Sequence, residues 1–232
     1  MIRLLPLAAF LVLLAACGPR ELEPDDAYVC ERCDEWNEPI DPFRIYGNTW
    51  YVGTDGLSSI LVETGDGLVL FDGGLTQSAP LIVANIRALG FEPLDIKAIF
   101  ASHAHYDHVG GVSALQRMTR AQVFTSEAGV EPLTTGRLLP DDPQYRADSD
   151  HGSFPPVRNV EAVADGRAVE IGGISVRAVY TPGHAQSSVT WTWESCALGT
   201  CYNVVYADSV TAVSAPGFSF AESGAAATMI ES

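Results

Sequence analysis

The stretch SHAHYDHVGG, Ser102 to Gly111, sets three histidines and an aspartate into positions 103–108 of a 232-residue chain that holds 5 histidines in all. It follows IKAIFAS, which starts at Ile96 and reads as a buried strand. The cluster therefore lies on the loop leaving the C-terminal end of that strand, where side chains can converge on one point. Imidazole and carboxylate groups are zinc ligands, and a catalytic zinc site keeps one position for water. In extended backbone His103 and His105 point the same way, while Asp107 and His108 serve a neighbouring point, so two metal positions are expected. The i, i+4 spacing of a helical metal motif is absent. A lone histidine is ordinarily solvated or satisfied in a core; this spacing, with an acid inside it and Gly110-Gly111 after it, points to metal chemistry.

Working outward, FRIYGNTWYVGT and LSSILVETGDGLVLFDGG read as short antiparallel strands with turns at Gly47-Asn48, Asp55-Gly56 and Gly65-Asp66-Gly67. Apolar residues at helical spacing predict a helix over Ala79 to Leu89, ended by Gly90. After the cluster, a helix is expected over Val112 to Arg120, a strand at AQVFTS, and a short helix from Glu127 to Leu133. Leu138 to Pro156 reads as a long polar and prolyl loop. Strands return at AVEI, ISVRAVYTPG, SSVTWTW and NVVYAD. Two sheets packed face to face with helices outside accommodate this order.

The chain is 47% hydrophobic and 18% charged, as expected of one globular domain with a sizeable core. Thirteen Lys+Arg against 29 Asp+Glu give a net charge of −16, which repels phosphate backbones and excludes nucleic acid as a partner. Arg3 and the apolar run Leu4 to Leu14 read as an export signal, too short to cross a bilayer as a stable helix. Residues 17–42 are polar and proline-dotted and read as a tether, with order beginning near Phe43. Four cysteines other than Cys17 can pair three ways. Locality favours Cys196 with Cys201, stapling a hairpin tip. CERC, Cys30 to Cys33, sits in a polar lead-in with no strand before it, so a structural disulfide is expected there, with its partner open.

Several of these stretches carry a family resemblance. LAAC, Leu14 to Cys17, resembles the lipobox of bacterial lipoproteins, which implies a signal peptide over residues 1–16, lipidation of Cys17, and a periplasmic protein anchored to the outer membrane. The alternative is an ordinary signal peptide whose small-residue site precedes a cysteine. HAHYDH matches the HxHxDH signature of the metallo-β-lactamase superfamily. FDGG, Phe71 to Gly74, resembles its strand-end aspartate motif, and TPGHAQSSVTWTW resembles the segment that supplies its next ligand, His184. With YADSVTAVSAPGF, these segments look like the third subclass (B3) of the true metallo-β-lactamases, over about Trp36 to Phe218.

The resemblance implies an α/β fold, an αββα sandwich of two mixed sheets flanked by helices, over residues 43–232. It implies two zinc ions, with His103, His105 and His184 holding the first and Asp107 and His108 part of the second, Asp107 also being catalytic. A metal-bound hydroxide is then expected to open the β-lactam ring of penicillins, cephalosporins or carbapenems, giving antibiotic resistance. Asp72 is expected to orient ligands from behind, and Ser209 and Thr211 to contact the substrate carboxylate. The partner is a small molecule, with membrane contact only through the lipid anchor, and the protein is expected to be a monomer. His151 is expected to be a solvated loop histidine, and Trp191 and Trp193 to pack in the core.

The family's last ligand is a late histidine, which this sequence lacks beyond His184. An incomplete sequence is the favoured expectation, with the last helix and strand missing; a truncated gene or another sixth ligand are the alternatives. Two rival functions remain. One is a lactone or thioester hydrolase of the same fold, with Asp208 in a bridging role; the other is a zinc-binding lipoprotein remnant without turnover.

Overall fold

A computed structural model describes residues 20–224. The export-signal reading of residues 1–16 and the lipidation of Cys17 fall outside them.

Helix α1 spans Cys33–Trp36, and strands β1 (Phe43–Tyr46), β2 (Thr49–Tyr51), β3 (Ile60–Thr64) and β4 (Gly67–Phe71) follow as an antiparallel meander. Helix α2 (Ala79–Ala88) crosses over to β5 (Ile96–Phe100), which pairs parallel to β4. Then come α3 (Tyr106–Val109), α4 (Val112–Thr119), β6 (Gln122–Thr125), α5 (Val130–Thr135) and β7 (Val160–Ala162), and the parallel pairing continues through β6 to β7. Strands β8 (Ala168–Ile171), β9 (Ile174–Tyr180), β10 (Val189–Ala197) and β11 (Thr200–Tyr206) form a second sheet, and α6 (Phe220–Ser223) ends the described chain. The first sheet has seven strands in sequence order and is mixed. Mixed pairing was expected in both sheets, but the four-stranded second sheet is antiparallel throughout, because hairpins join its strands without a crossover.

The alternation of side chains along the central strands builds two cores. Leu61, Leu70 and Ile99 face the helices with Ile82, Ile86 and Leu115. Val69, Phe71 and Phe100 face the second sheet, where Trp191 and Trp193 meet them as expected; Phe71 stacks on Trp193 at 4.4 Å between centroids. On the outer side of the second sheet Val179 and Val205 stay exposed.

Both disulfides close locally, Cys30 with Cys33 and Cys196 with Cys201. The second spans a hairpin tip, as locality suggested, and its two loop residues Leu198 and Gly199 have φ of 50° and 81°, the signs a type I′ turn requires.

Order does not begin at Phe43. The Tyr28 ring stacks on Tyr106 at 4.0 Å, Tyr28 N–H donates to Thr76 Oγ1, Arg117 grips Asp25, and Cys33 is buried. A few apolar anchors in a polar stretch hold that segment down; composition averaged over the stretch hides them.

Candidate metal centre

The site forms where β5 runs out. Beyond it the chain bends at Ser102 and Ala104, with the Ala101 carbonyl accepting from Trp191 Nε1 and Ala104 N–H donating to Ser187 Oγ. His105 then begins α3 as its N-terminal flanking residue, so Asp107 and His108 sit on a one-turn helix rather than on the open loop expected of them. Two glycine pairs allow the approach that follows. Gly73 N–H donates to the His108 carbonyl and Gly111 N–H to the Gly74 carbonyl. A Cβ on Gly111 would run into the Gly73 carbonyl oxygen, so no larger residue fits there.

His103, His105 and His184 present one nitrogen each within 4.8 Å of one another, and all three residues are buried. The outer nitrogens fix their tautomers. His184 Nδ1 lies 2.7 Å from the Thr211 carbonyl oxygen, which only accepts, so Nδ1 carries the proton and Nε2 keeps a lone pair. His105 Nε2 lies 3.0 Å from Asp142 Oδ2, and His103 Nδ1 lies 2.7 Å from Asp208 Oδ1. With both carboxylates accepting, His105 Nδ1 and His103 Nε2 also keep lone pairs. His103 Nε2 is buried and has no hydrogen-bond partner, and His184 Nε2 faces His105 Nδ1 at 3.2 Å. The Gln144 amide lies 3.2 Å from His105 Nδ1, and His103 Nε2 is left without any partner, a buried lone pair that a cation at the common point would meet. The donor set fits zinc, for which three neutral imidazoles leave a fourth position open.

Burial holds His103 well below the usual imidazole range, with the neighbouring His108 and His105 adding to the shift. Burial and His105 likewise lower His184. Both are therefore neutral bases at pH 7.

Asp107 and His108 stand beside this group, with the His108 ring 4.0 Å from that of His103. His108 Nδ1 donates to Asp72 Oδ2 at 2.8 Å, and its Nε2 is 3.8 Å from Asp107 Oδ2. Burial works against a charged His108, but Asp107 and Asp72 outweigh it and raise its pKa to about 9. For Asp107 burial is again the largest influence, and the surrounding histidines overcome it to leave the carboxyl below its ordinary value.

Asp72 lies behind the site, where FDGG placed it. It is fully buried with φ of 55°, a left-handed conformation that a non-glycine residue keeps only where its surroundings impose it. Ser102 N–H donates to Oδ1, while Ser102 Oγ, His108 Nδ1 and Tyr206 Oη all donate to Oδ2. Next to that carboxylate, burial pushes the Tyr206 phenol well above its usual value.

The other expected residues are placed unevenly. Thr211 reaches His184 through its backbone carbonyl, with its hydroxyl at 3.5 Å. Ser209 lines, with His184, Thr190 and Val205, a pocket of about 370 Å³. His151 is exposed, and lines with Arg137, Tyr145 and Arg146 a cavity of about 430 Å³ beside the long loop. Asp208 holds the outer nitrogen of His103. Asp142, Gln144 and Tyr206 escaped the sequence reading. Their neighbours DDPQ and VVYAD carry no spacing that singles them out, and only the fold turns them inward. The exposed group Glu194, Cys196 and Cys201 is no second centre, since its cysteines are joined to each other.

A family profile described as the metallo-beta-lactamase superfamily matches residues 52–196. The chain belongs to that superfamily. Among solved structures it is similar to Rm3 metallo-beta-lactamase, 46% identical with a TM-score of 0.83, over 88% of this chain and 76% of the other. It is also similar to MEM-A1, a subclass B3 metallo-beta-lactamase from a soil metagenome library, at 42% identity and a TM-score of 0.80, over 84% and 75% of the two chains. Among curated proteins, lactamase-like protein aptB of Emericella nidulans is 30% identical over 66% of this chain, which spans 38% of its length. Members of this superfamily host different reactions on one fold, and the likenesses include an atrochrysone carboxyl ACP thioesterase of Aspergillus novofumigatus, 28% identical over 66% of this chain and 36% of its own.

Proposed function

We propose that the protein is a zinc-dependent β-lactamase that hydrolyses the amide bond of penicillins, cephalosporins or carbapenems. The observation that carries the reading is the convergence of three tautomer-fixed histidines on one buried point. Its likeness to metallo-β-lactamases at 42 and 46% identity, against 28 to 30% for the curated relatives, favours the lactam over a thioester.

In this reading His103, His105 and His184 hold one zinc, and Asp107 and His108 contribute to a second. Zinc supplies Lewis acidity toward a carbonyl oxygen and brings the pKa of water near neutrality. The chain's own part is orientation. Asp208, Asp142 and Thr211 hold three imidazoles with their lone pairs inward, and Asp72 holds His108. Asp107, ionised, offers a carboxylate oxygen that orients the attacking water and accepts its proton. Ser209 and the hydroxyl of Thr211 are assigned to the substrate carboxylate.

The same proposal makes the protein a monomeric, periplasmic lipoprotein carried on Cys17. Two disulfides support an oxidising compartment. Labelling with a fatty acid, lost in Cys17→Ala, tests the anchor.

The activity test is imipenem hydrolysis with added zinc and with a chelator, beside a thioester and a lactone. Chelator-sensitive loss of imipenem is expected. Turnover of the thioester or lactone alone favours the rival hydrolase, and zinc binding with no turnover the remnant.

A further inference from the structure

The loop 137–153 reaches the metal centre through Asp142 and Gln144; its base is held by the buried Leu138 and by Gly152 N–H donating to Tyr28 Oη at 3.0 Å. Its tip, residues 146–151, is exposed, whereas Asp142 and Pro143 are buried. Pro143 is held through its carbonyl, which accepts from Ala215 N–H at 2.8 Å. Asp142 is held by the metal centre itself. Both of its carboxylate oxygens lie within 3.0 to 3.1 Å of His105 Nε2, and Oδ1 also accepts Gln144 N–H at 2.8 Å. The backbone turns tightly about it, Asp142 N–H to the Leu139 carbonyl and Tyr145 N–H to the Asp142 carbonyl. Gln144 is thereby brought to the inner side, its Nε2 3.2 Å from His105 Nδ1, a contact that a cation on that nitrogen replaces, so that the loop's tie to a metal-loaded centre falls to Asp142.

One carboxylate thus does two things. It fixes the proton of His105 on the outer nitrogen, and it ties the middle of an exposed loop to that imidazole. A cation that engages His105 Nδ1 polarises the ring and strengthens the Nε2–H donor toward Asp142. By linkage, whatever strengthens the loop's anchor on metal binding also makes the anchored loop raise metal affinity.

We propose that Asp142 is a positioning residue that couples zinc occupancy to the anchoring of the loop 137–153 at the site. The proposal rests on the metal reading above, not on the choice of substrate. Its readouts are zinc affinity and the proteolytic susceptibility of the loop, which carries exposed arginines at 137 and 146.

The experiment is limited trypsin digestion of the full chain, zinc-loaded and chelator-treated, with cleavage after Arg146 followed by mass spectrometry. Zinc affinity is measured in parallel by competition with a chromophoric chelator. In the wild type, zinc is expected to slow cleavage at Arg146 several-fold. Asp142→Ala is expected to weaken zinc binding by about 10- to 100-fold, the range for losing an outer partner of a ligand. It should also leave Arg146 as sensitive with saturating zinc as the chelator-treated wild type. Asp142→Asn, which keeps one acceptor oxygen, should fall between. Wild-type zinc binding with no change at Arg146, or Asp142→Ala with unaltered affinity and protection, overturns the coupling while leaving the metal centre standing. Failure of the wild type to bind zinc overturns both. The wild-type comparison needs no variant, so the proposal stays testable if Asp142→Ala does not fold.

Discussion

His103, His105 and His184 on one side, and Asp107 with His108 on the other, lie within a few ångströms of each other and are prepared for a cation in opposite ways. The first three are buried and each tied outward to a separate acceptor, so their inner nitrogens converge on one point, where His103 Nε2 has no partner and His105 Nδ1 meets only His184 Nε2 and the Gln144 amide. The second pair compensates itself: His108, its pKa raised to about 9, is protonated between two carboxylates, donating Nδ1–H to Asp72 and facing Asp107 across 3.8 Å as an ion pair. One half awaits a positive charge, and the other already holds one. Proximity in sequence says nothing about this; the partners behind each side chain decide it.

The largest effect that tests the contrast is deletion of a neutral ligand. His103→Ala should weaken the first zinc by more than the ~10- to 100-fold expected for an outer partner, and should abolish chelator-sensitive turnover. Retention of tight binding to the variant in a metal titration breaks the comparison outright.

Next in size is Asp72→Ala, which removes the acceptor of His108 and strands Ser102 N–H in a buried place. The second zinc should weaken by about 10- to 100-fold with the first little changed, and the fold should lose about 1–3 kcal/mol in denaturant unfolding. Equal weakening of both ions would show that the two halves are not independent.

A pH effect comes third. Because His108 is protonated below about 9 in the metal-free protein, binding a second zinc at pH 7 to 8 must expel close to one proton. Its affinity should rise tenfold per pH unit and level off near 9, whereas the first zinc, meeting His103 and His184 as neutral bases, should release none there. Calorimetry in buffers of different ionisation enthalpy counts the protons. The corresponding stability runs the other way. A raised folded-state pKa means that the stabilisation by His108 is complete below the unfolded value near 6.5 and is lost as pH rises through about 9.

The smallest expected change is at Thr211. Its carbonyl, not its hydroxyl, holds His184, so Thr211→Ala should leave zinc affinity within about twofold, an effect far below the loss of an outer partner. A large loss of affinity would assign the hydroxyl a part in the centre; a rise in KM alone would assign it to the substrate.

Much of this centre was legible in the sequence because chemistry and spacing coincide in HAHYDH, FDGG and TPGH. The order of apolar strands and helices pointed to two facing sheets, and the short separation of Cys196 and Cys201 to their bridge. What stayed hidden depends on backbone direction. Asp141 and Asp142 are adjacent and chemically identical, yet only Asp142 turns inward to His105. Tyr28 looks like one more residue of a polar lead-in until α3 presents Tyr106 to it, and α3 itself is a single turn, too short for periodicity to announce.

The acceptors that hold the three imidazoles come from Asp142, Asp208 and Thr211, each later in the chain than the histidine it holds. A chain growing from its N-terminus therefore presents its first two ligands long before the groups that aim them. Until the residue at 211 is in place, His184 has no fixed tautomer and the lone pairs have no common focus. The aim of the three imidazoles is thus set by contacts 105, 37 and 27 residues apart in the chain, and the centre exists only in the assembled fold.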